Sequence, residues 1–430
     1  MNTTDKEKNK QIISWALYDW ANSAYAVTIM AGFFPLYFKQ YWASSLTAEE
    51  STYQLGLANS IASLAIVLLA PVLGSIADQA GAKKRFLFLF TFLGVMMCAG
   101  LYLVSQGSWQ WAVAIYVTAT IGFSGGVSFS DSLLVHVAPA DKLDRVSALG
   151  YALGYIGGGS IFALSVWMAQ SPSTFGLADA SSAIRLSFLF VALWWAVFSL
   201  PVLLFVKEPP SPGNRQAGLS AVIAGFSQLA RTFSKIRQFK VVCIFLLAYW
   251  LYIDGVDTII RMAVDYGLAL NLDSSALITA LLLTQFIGFP SAILFGRLGE
   301  KVGPKAGIQI AIVVYMIAIV WAYKIDSSWE FYALAALIGL VQGGVQSLSR
   351  SLYARLIPSR YSAEFFGFYN MLGKFAAVLG PILIGWVVVA TDNHRLGMLS
   401  IIILFAAGAI LLRLVDVAEG TRVARDMNEE

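Results

Sequence analysis

Charged residues are scarce in this chain of 430 residues. Asp, Glu, Lys and Arg make up 13% of the sequence, against about 25% in an average soluble domain. Hydrophobic residues make up 58%, so the chain lacks enough polar side chains to cover a water-facing surface. The net charge of +4 is also too small to indicate a nucleic-acid-binding surface, and no nucleic-acid partner is expected.

Cysteine and histidine are nearly absent, with two residues of each. Cys98 and Cys243 both lie inside apolar runs, which argues against a disulfide framework and against a metal cluster. The sequence also lacks a glycine-rich phosphate loop of the Walker type and any Ser/His or paired metal-ligand constellation. We therefore expect no metal, no cofactor and no enzymatic activity.

Apolar blocks of about 20 residues, the length needed to cross a bilayer, are abundant instead. The first block runs past Phe38 without a small-residue cleavage site, so we interpret it as a retained helix and not as a signal peptide. We predict an all-α membrane protein in the lipid bilayer with twelve transmembrane helices. Their predicted positions are 12–38, 54–77, 85–104, 110–137, 145–168, 185–206, 241–265, 274–297, 306–323, 331–354, 362–390 and 395–415.

The positive charges are distributed unevenly along the chain. Of the 29 Lys and Arg residues, 22 fall in the N-terminal tail, the even-numbered loops and the C-terminal tail, and four fall in the odd-numbered loops. Lys- and Arg-rich loops stay in the cytoplasm when a membrane protein is inserted. We expect both termini to be cytoplasmic, and the compact loops are typical of a protein of the bacterial inner membrane.

The longest polar interruption, at residues 207–240, divides the chain near its middle. Apolar residues recur there at helical spacing from Leu219 to Ile236, with Arg231, Lys235 and Arg237 on the other side. This pattern is typical of an amphipathic helix on the membrane surface, and a solvated linker helix is the alternative. We expect an N-terminal six-helix bundle at 1–206, a cytoplasmic linker at 207–240 and a C-terminal six-helix bundle with a short tail at 241–430.

A motif in the loop after span 2 recurs 222 positions later, after span 8. Both copies contain turn glycines, an acid and a base, which indicates an internal duplication. They are Gly74, Asp78, Gly81 and Lys83 in the first copy and Gly296, Glu300, Gly303 and Lys305 in the second. The acids would accept hydrogen bonds from a neighbouring helix N-terminus and hold the inward side closed. A tight turn without a gating role is the alternative.

The first copy, which continues into Lys84 and Arg85, resembles the signature of the major facilitator superfamily. The segments 14–25, 346–351 and 364–369 are similar to the branch that contains fungal vacuolar amino-acid effluxers of the autophagy-related type and bacterial relatives. This resemblance covers nearly the whole chain. It implies two pseudo-symmetric six-helix bundles and the export or exchange of small solutes, with amino acids as one expected class.

Apart from charges within two residues of a span end, seven charged residues fall inside predicted spans, where each costs roughly 2.5–3.5 kcal/mol unless it is paired or hydrated. They are Asp19, Asp131, Asp254, Asp257, Arg261, Arg350 and Lys374. Asp254, Asp257 and Arg261 share one face of span 7, and the last two are spaced to pair with each other. Asp254 is then left without a local partner. We predict that Asp254 couples a proton or binds a substrate amine, and a static salt bridge is the alternative.

Polar residues of spans 1 and 11 complete the predicted substrate path. They are Asp19, Asn22 and Tyr25 in span 1 and Tyr369, Asn370 and Lys374 in span 11. Lys374 or Arg261 would bind a substrate carboxylate. The aromatic residues around Asp19 are equally typical of an interfacial belt.

Asp131 and Arg350 lie at corresponding depth in spans 4 and 10 and have opposite charge. We predict that they belong to a gate whose ion pairs form in one state and break in another. Direct binding of a charged substrate group is the alternative.

The function predicted from these features is secondary active transport of a small polar solute by alternating access, with protons as the expected coupling ion and a monomer as the expected state. A non-transporting membrane receptor or assembly subunit with the same fold is the alternative.

Overall fold

The computed structural model describes residues 3–208, 219–234, 239–270, 272, 274–376 and 378–429. Within these ranges helices are the only regular secondary structure. Eleven of the described helical segments are long and apolar enough to span a membrane. They follow a helical stretch from Thr3 to Trp42, made of α- and π-helical segments, which contains the first predicted span and brings the number of spans to twelve.

Span 1 of the N-terminal half changes its helical geometry along its length. It begins as the α-helix Thr3–Ala24 and continues through the π-helical segment Tyr25–Phe33, the short α-helix Phe34–Tyr37 and the π-helical segment Phe38–Trp42. The other five spans are regular α-helices. They are span 2 at Ala48–Ala80, span 3 at Lys83–Gly100, span 4 at Trp109–Val137, span 5 at Leu143–Gln170 and span 6 at Ala180–Phe205.

The C-terminal half contains four continuous spans and two divided ones. Span 7 is Lys240–Ala269, span 8 Ser274–Val302, span 9 Pro304–Ala322, span 10 Ser328–Leu356, span 11 Ser362–Phe375 with Leu379–Thr391, and span 12 His394–Ser400 with Ile402–Arg413. Two further helices are the linker helix, Leu219–Ser234, and the C-terminal helix, Val417–Glu429. Residues 209–218 and 235–238 of the predicted linker lie outside the described residues.

The repeated glycine motifs mark the ends of spans 2 and 8. Gly81 closes span 2 with φ 58°, and Gly303 lies directly before span 9 with φ 85°. Residues with a Cβ rarely adopt a positive φ, whereas glycine does so without steric cost. The requirement for a tight turn therefore explains why both copies of the motif carry glycine at this position.

Both chain ends lie on the same face of the helix bundle. Glu7 forms an ion pair of 2.6 Å with Lys207 at the end of span 6. Asn428 in the C-terminal helix accepts a hydrogen bond of 3.2 Å from Ser359, in the loop between spans 10 and 11. We call this side, which also carries the even-numbered loops, the terminal face. Its assignment to the cytoplasm stays a prediction.

The two halves are joined most closely toward the terminal face. Span 5 packs against spans 8 and 10, and span 2 packs against the first helix of span 11. Gly74 lies against the backbone of Ala363, and Gly296 lies against Ala148. In the described ranges, hydrogen bonds between the halves extend from the terminal face only as far as Tyr155, midway along span 5. The halves are therefore closed against each other on the terminal side.

Span 11 is not the continuous helix that the sequence predicts. Its first helix ends at Phe375 and its second begins at Leu379. The fully buried Asp254 accepts hydrogen bonds of 2.7–3.2 Å from the backbone N–H groups of residues 378–380. N–H groups of a first helical turn have no partner within the helix, and a carboxylate also interacts favourably with the helix dipole there.

This capping corrects the expectation that Asp254 has no local partner. Its carboxylate accepts a further hydrogen bond of 3.2 Å from Thr258 on the same helix. The partners come from a helix break more than 120 residues away in the sequence, so the spacing of charges within span 7 gave no indication of them.

The contact between Asp254 and the break in span 11 requires glycine at position 380. A Cβ on Gly380 would overlap the Thr258 hydroxyl and approach the Asp254 carboxylate, whereas a Cβ on Gly385 would meet no atom within 4 Å. We expect Gly380→Ala to lower the free energy of unfolding by about 1–3 kcal/mol because of overpacking. Gly385→Ala, in the same helix, is the control and should be neutral or stabilising. Thermal unfolding of both variants in detergent checks this, and equal melting temperatures would contradict it.

Candidate functional site

Arg350 of span 10 binds two carboxylates that belong to the other half of the protein. Its side chain donates to Asp19 of span 1 and to Asp131 of span 4, at 2.9 Å each, and is 2% exposed. Arg350 and Asp131 both lie six residues from the terminal-face end of their helices, about 9 Å along the axis. The cluster thus lies in the terminal half of the membrane and carries a net charge of −1.

Neutral groups complete the surroundings of the Arg350 guanidinium. Nε donates to the Ser147 hydroxyl at 3.0 Å, and one terminal nitrogen donates to the Ser147 carbonyl at 2.9 Å. The rings of Trp15 and Tyr151 lie 4.8 and 4.3 Å from the guanidinium carbon, within the range of cation–π attraction. A Cβ on Gly150 would approach both the Asp19 carboxylate and Arg350. All of these partners belong to the N-terminal half.

A second group of contacts joins the halves closer to the terminal face. Asp144, in the first turn of span 5, accepts hydrogen bonds from Ser351 at 2.6 Å and from Arg355 at 2.9 Å. Arg355 also donates to the carbonyl of Ala140. Both donors belong to span 10, one and five residues beyond Arg350, so the contacts between spans 5 and 10 continue from Arg350 toward the terminal face.

Asp78 joins span 2 to the start of span 11. Its carboxylate accepts hydrogen bonds from the N–H groups of Ala363 at 3.2 Å and Glu364 at 2.9 Å, which are unpaired donors of a helix N-terminus. Lys83 lies 2.9 Å from the same carboxylate and also donates to Ser362 at 2.8 Å. Asp78 therefore makes the contact that we expected for the acid of the first motif.

The acid of the second motif makes no equivalent contact. Glu300 is exposed, and it accepts no hydrogen bond from any residue that the structure describes. Lys305 donates instead to the carbonyls of Arg413 and Val415, at the end of span 12. The two motifs are thus similar in sequence but not in contacts.

Three charged side chains form a separate group, farther from the terminal face than the Arg350 cluster. Asp257 interacts electrostatically with Arg261 and Lys374, and Arg261 interacts with Tyr116 of the N-terminal half. Asp257 and Lys374 are half-buried and Arg261 is exposed. Within the described part of the chain, Asp257 has no ion pair within 4.0 Å. This group, which we call the span 7 charge group, has a net charge of +1.

The remaining residues of the predicted substrate path are largely buried. Tyr25 is fully buried and forms a hydrogen bond with Thr120. Tyr369 stacks on Tyr249, with a distance of 4.2 Å between the ring centroids. Asn370 donates to Asp131 at 3.3 Å. Asn22 is 5% exposed, and its Nδ2 has no hydrogen-bond partner among the residues described.

Sequence reasoning placed Asp131 and Arg350 in one gate but assigned Asp19 to the substrate path, whereas the structure pairs Asp19 with Arg350. It missed Asp144, Ser147 and Tyr151 altogether. These three are spaced three and four residues apart and so share one face of span 5. A polar face inside an apolar helix is a signal that could have found them.

Known proteins of one family are similar in sequence to nearly the whole chain. The family model described as "Vacuole effluxer Atg22 like" matches residues 51–425. The uncharacterized MFS-type transporter YxiO of Bacillus subtilis (strain 168) is 39% identical over 434 residues, which cover 99% of both chains. Autophagy-related protein 22 of Yarrowia lipolytica is 28% identical over 339 residues, 70% of this chain and 56% of that one.

Solved structures of major facilitator transporters are similar over nearly the whole fold. The human organic anion transporter MFSD10 (TETRAN) matches 96% of this chain and 100% of its own, with a TM-score of 0.70 and 16% identity. The proton:xylose symporter XylE matches 95% of both chains, with a TM-score of 0.69 and 13% identity. At these identities the likeness concerns the fold and not the substrate.

The Arg350 cluster consists of Arg350, Asp19 and Asp131. Because it is buried, we expect its loss to lower the free energy of unfolding much more than the loss of an exposed ion pair does. We expect Arg350→Gln to lower the free energy of unfolding by about 3–5 kcal/mol, because two buried carboxylates lose their partner. The matched control is Arg395→Gln, which removes a part-exposed ion pair with Asp326 and should cost about 0–1 kcal/mol. Thermal or denaturant unfolding in detergent measures both. A cost for Arg350→Gln no larger than for the control would be inconsistent with a paired, buried arginine.

Proposed function

Since this chain belongs to the Atg22-like vacuole effluxer family of the major facilitator superfamily and is a membrane transporter, we propose that it carries a small zwitterionic solute by alternating access. The observation on which the proposal rests is the Arg350 cluster. It joins one half to the other through a buried arginine and two carboxylates, so the contact must break if the halves separate on this side.

In the proposed cycle, the structure is the state closed at the terminal face. Opening this face separates Arg350 from Asp19 and Asp131 and admits water between the halves. Water then hydrates the separated charges. The free-energy cost of breaking the ion pairs therefore stays low, and the terminal face can close again. A solute that binds one state more tightly than the other shifts this equilibrium by its difference in affinity.

We assign solute binding to the span 7 charge group. Lys374 and Arg261 would bind a carboxylate, and Asp257 would bind an ammonium group. Asp257 replaces Asp254 in this role because both oxygens of Asp254 already accept hydrogen bonds from the break in span 11. The net charge of +1 favours a solute with at least one carboxylate, which supports amino acids as the substrate class.

The proposal also includes the direction of transport and the ion that drives it. With cytoplasmic termini, the present state faces outward, and the description of the matching family as an effluxer supports export. Asp257 is the carboxylate best placed to exchange protons, because it is half-buried and has no ion pair within 4.0 Å in the described ranges. We propose proton-coupled transport by a monomer.

Counterflow into proteoliposomes tests this function directly. Purified protein is reconstituted with each unlabelled amino acid inside, and uptake of the labelled form is followed with and without a pH gradient. We expect saturable uptake of at least one amino acid. Asp257→Asn and Lys374→Gln should each reduce it about ten- to hundredfold, the effect of losing one charge-assisted hydrogen bond.

Asp392→Asn provides the control, because Asp392 is an exposed carboxylate in the loop between the second helix of span 11 and span 12. Its backbone has φ 51°, a conformation that Asn also adopts, so uptake should be unchanged. Normal counterflow by the Asp257→Asn variant would contradict the assignment of solute binding to the span 7 charge group. Absence of flux for every solute would favour the non-transporting receptor or assembly subunit.

A further inference from the structure

A cavity of about 260 Å³ lies at the terminal face, outside the transport site. It is lined by the linker helix, the start of span 7, the loop between spans 10 and 11 and the C-terminal helix. The volume is far larger than the roughly 10–15 Å³ that accommodates one water molecule. Its polar walls are formed by five side chains, Gln228, Arg231, Thr232, Arg360 and Tyr361.

Two arginines from different parts of the chain line this cavity. Arg231 belongs to the linker helix and Arg360 to the loop before span 11. The Nε of Arg360 is buried and has no hydrogen-bond partner among the described residues. The backbone N–H of Arg360 donates to Asn428, so the C-terminal helix holds this arginine in position.

A buried carboxylate, Glu364, lies close to the linker-helix wall of the cavity. Glu364 interacts electrostatically with Arg231 and with Asp78, and its side chain is fully buried. Two arginines that line one cavity favour the binding of an anion there. The Gln228 amide donates one hydrogen bond to the Thr232 hydroxyl at 3.4 Å, and its second N–H and the Tyr361 hydroxyl are additional neutral donors.

We propose that this cavity binds a phosphate group. A phosphate has several oxygens that accept hydrogen bonds at once, and the forked guanidinium of arginine matches this geometry. Donors converge here from two segments of the chain, the linker helix and the loop before span 11, and a tetrahedral group can accept from both at once. Because the linker helix lies at the membrane surface in the predicted topology, the phosphate could belong to an anionic lipid headgroup or to a soluble compound.

Binding at this position would join the two halves through the linker. The linker helix is already fixed to the N-terminal half, where Ser75 donates to the Gly225 carbonyl at 2.9 Å and Gly225 packs on Ile76. Its other end contributes Arg231 to the cavity, whose opposite wall belongs to the C-terminal half. A phosphate bound between Arg231 and Arg360 therefore stabilises the linker helix in its docked position.

The test uses the full-length purified chain and does not depend on transport. Inorganic phosphate is titrated in detergent at constant ionic strength, and both the melting temperature and the hydrogen–deuterium exchange of residues 219–234 are followed. We expect a saturable rise in melting temperature and slower exchange. Arg231→Gln and Arg360→Gln should weaken apparent phosphate affinity about ten- to hundredfold, and Arg360→Lys should weaken it less.

The control is Arg422→Gln, because Arg422 is an exposed arginine of the C-terminal helix that does not line the cavity. It should bind phosphate like the unaltered chain, and the melting temperature without phosphate shows whether each variant is folded. A phosphate effect of equal size in the Arg360→Gln, Arg231→Gln and Arg422→Gln variants would overturn the proposal, because it would be a general salt effect.

A second arm separates the two sources of phosphate. The chain is placed in nanodiscs of phosphatidylglycerol or phosphatidylcholine, and exchange of the linker helix is compared. Slower exchange in phosphatidylglycerol that is lost in Arg360→Gln identifies a lipid headgroup. An effect of inorganic phosphate with no difference between the nanodiscs identifies a soluble phosphate compound. No effect in either arm would contradict the proposed site.

Discussion

A buried arginine is the constraint on which the closed terminal side depends. Arg350 lies within the membrane, where an unpaired charge costs several kcal/mol, and every partner of its guanidinium belongs to the other half. The two halves must therefore approach each other closely at this depth. Small residues permit that approach, since Gly150 leaves room for the ion pairs and Gly74 lets span 2 contact the backbone of span 11.

Such a cluster suits a switch better than a permanent joint. A buried ion pair contributes little net stability, because desolvation of the charges offsets much of their attraction, yet it strongly disfavours any arrangement in which one partner is left alone and dry. Opening with entry of water avoids that penalty. Asp144 and Asp78 add contacts closer to the terminal face, but both lie at helix ends, where water can replace a lost hydrogen bond.

The sequence predicted the all-α fold of twelve spans and the family correctly, because apolar length and the repeated glycine motif are local features. It also predicted a buried gate containing Asp131 and Arg350, a role that stays a prediction. It could not predict the partners of Asp254, which depend on where span 11 breaks, or the pairing of Asp19 with a residue 331 positions away. Glu300 corresponds to Asp78 in the repeated motif but does not make the contact that Asp78 makes. Equivalent positions of a duplicated sequence need not keep equivalent neighbours.

The central claim is that the Arg350 cluster holds the terminal face closed. Spin labels at Lys142→Cys and Arg422→Cys, two exposed terminal-face positions in different halves, report the separation in a background where Cys98 and Cys243 are replaced by serine. With the Arg350 cluster unaltered, most molecules should show a short distance between the two labels. Asp131→Asn should shift much of this population to longer distances. The same distance distribution with and without Asp131→Asn would contradict the account.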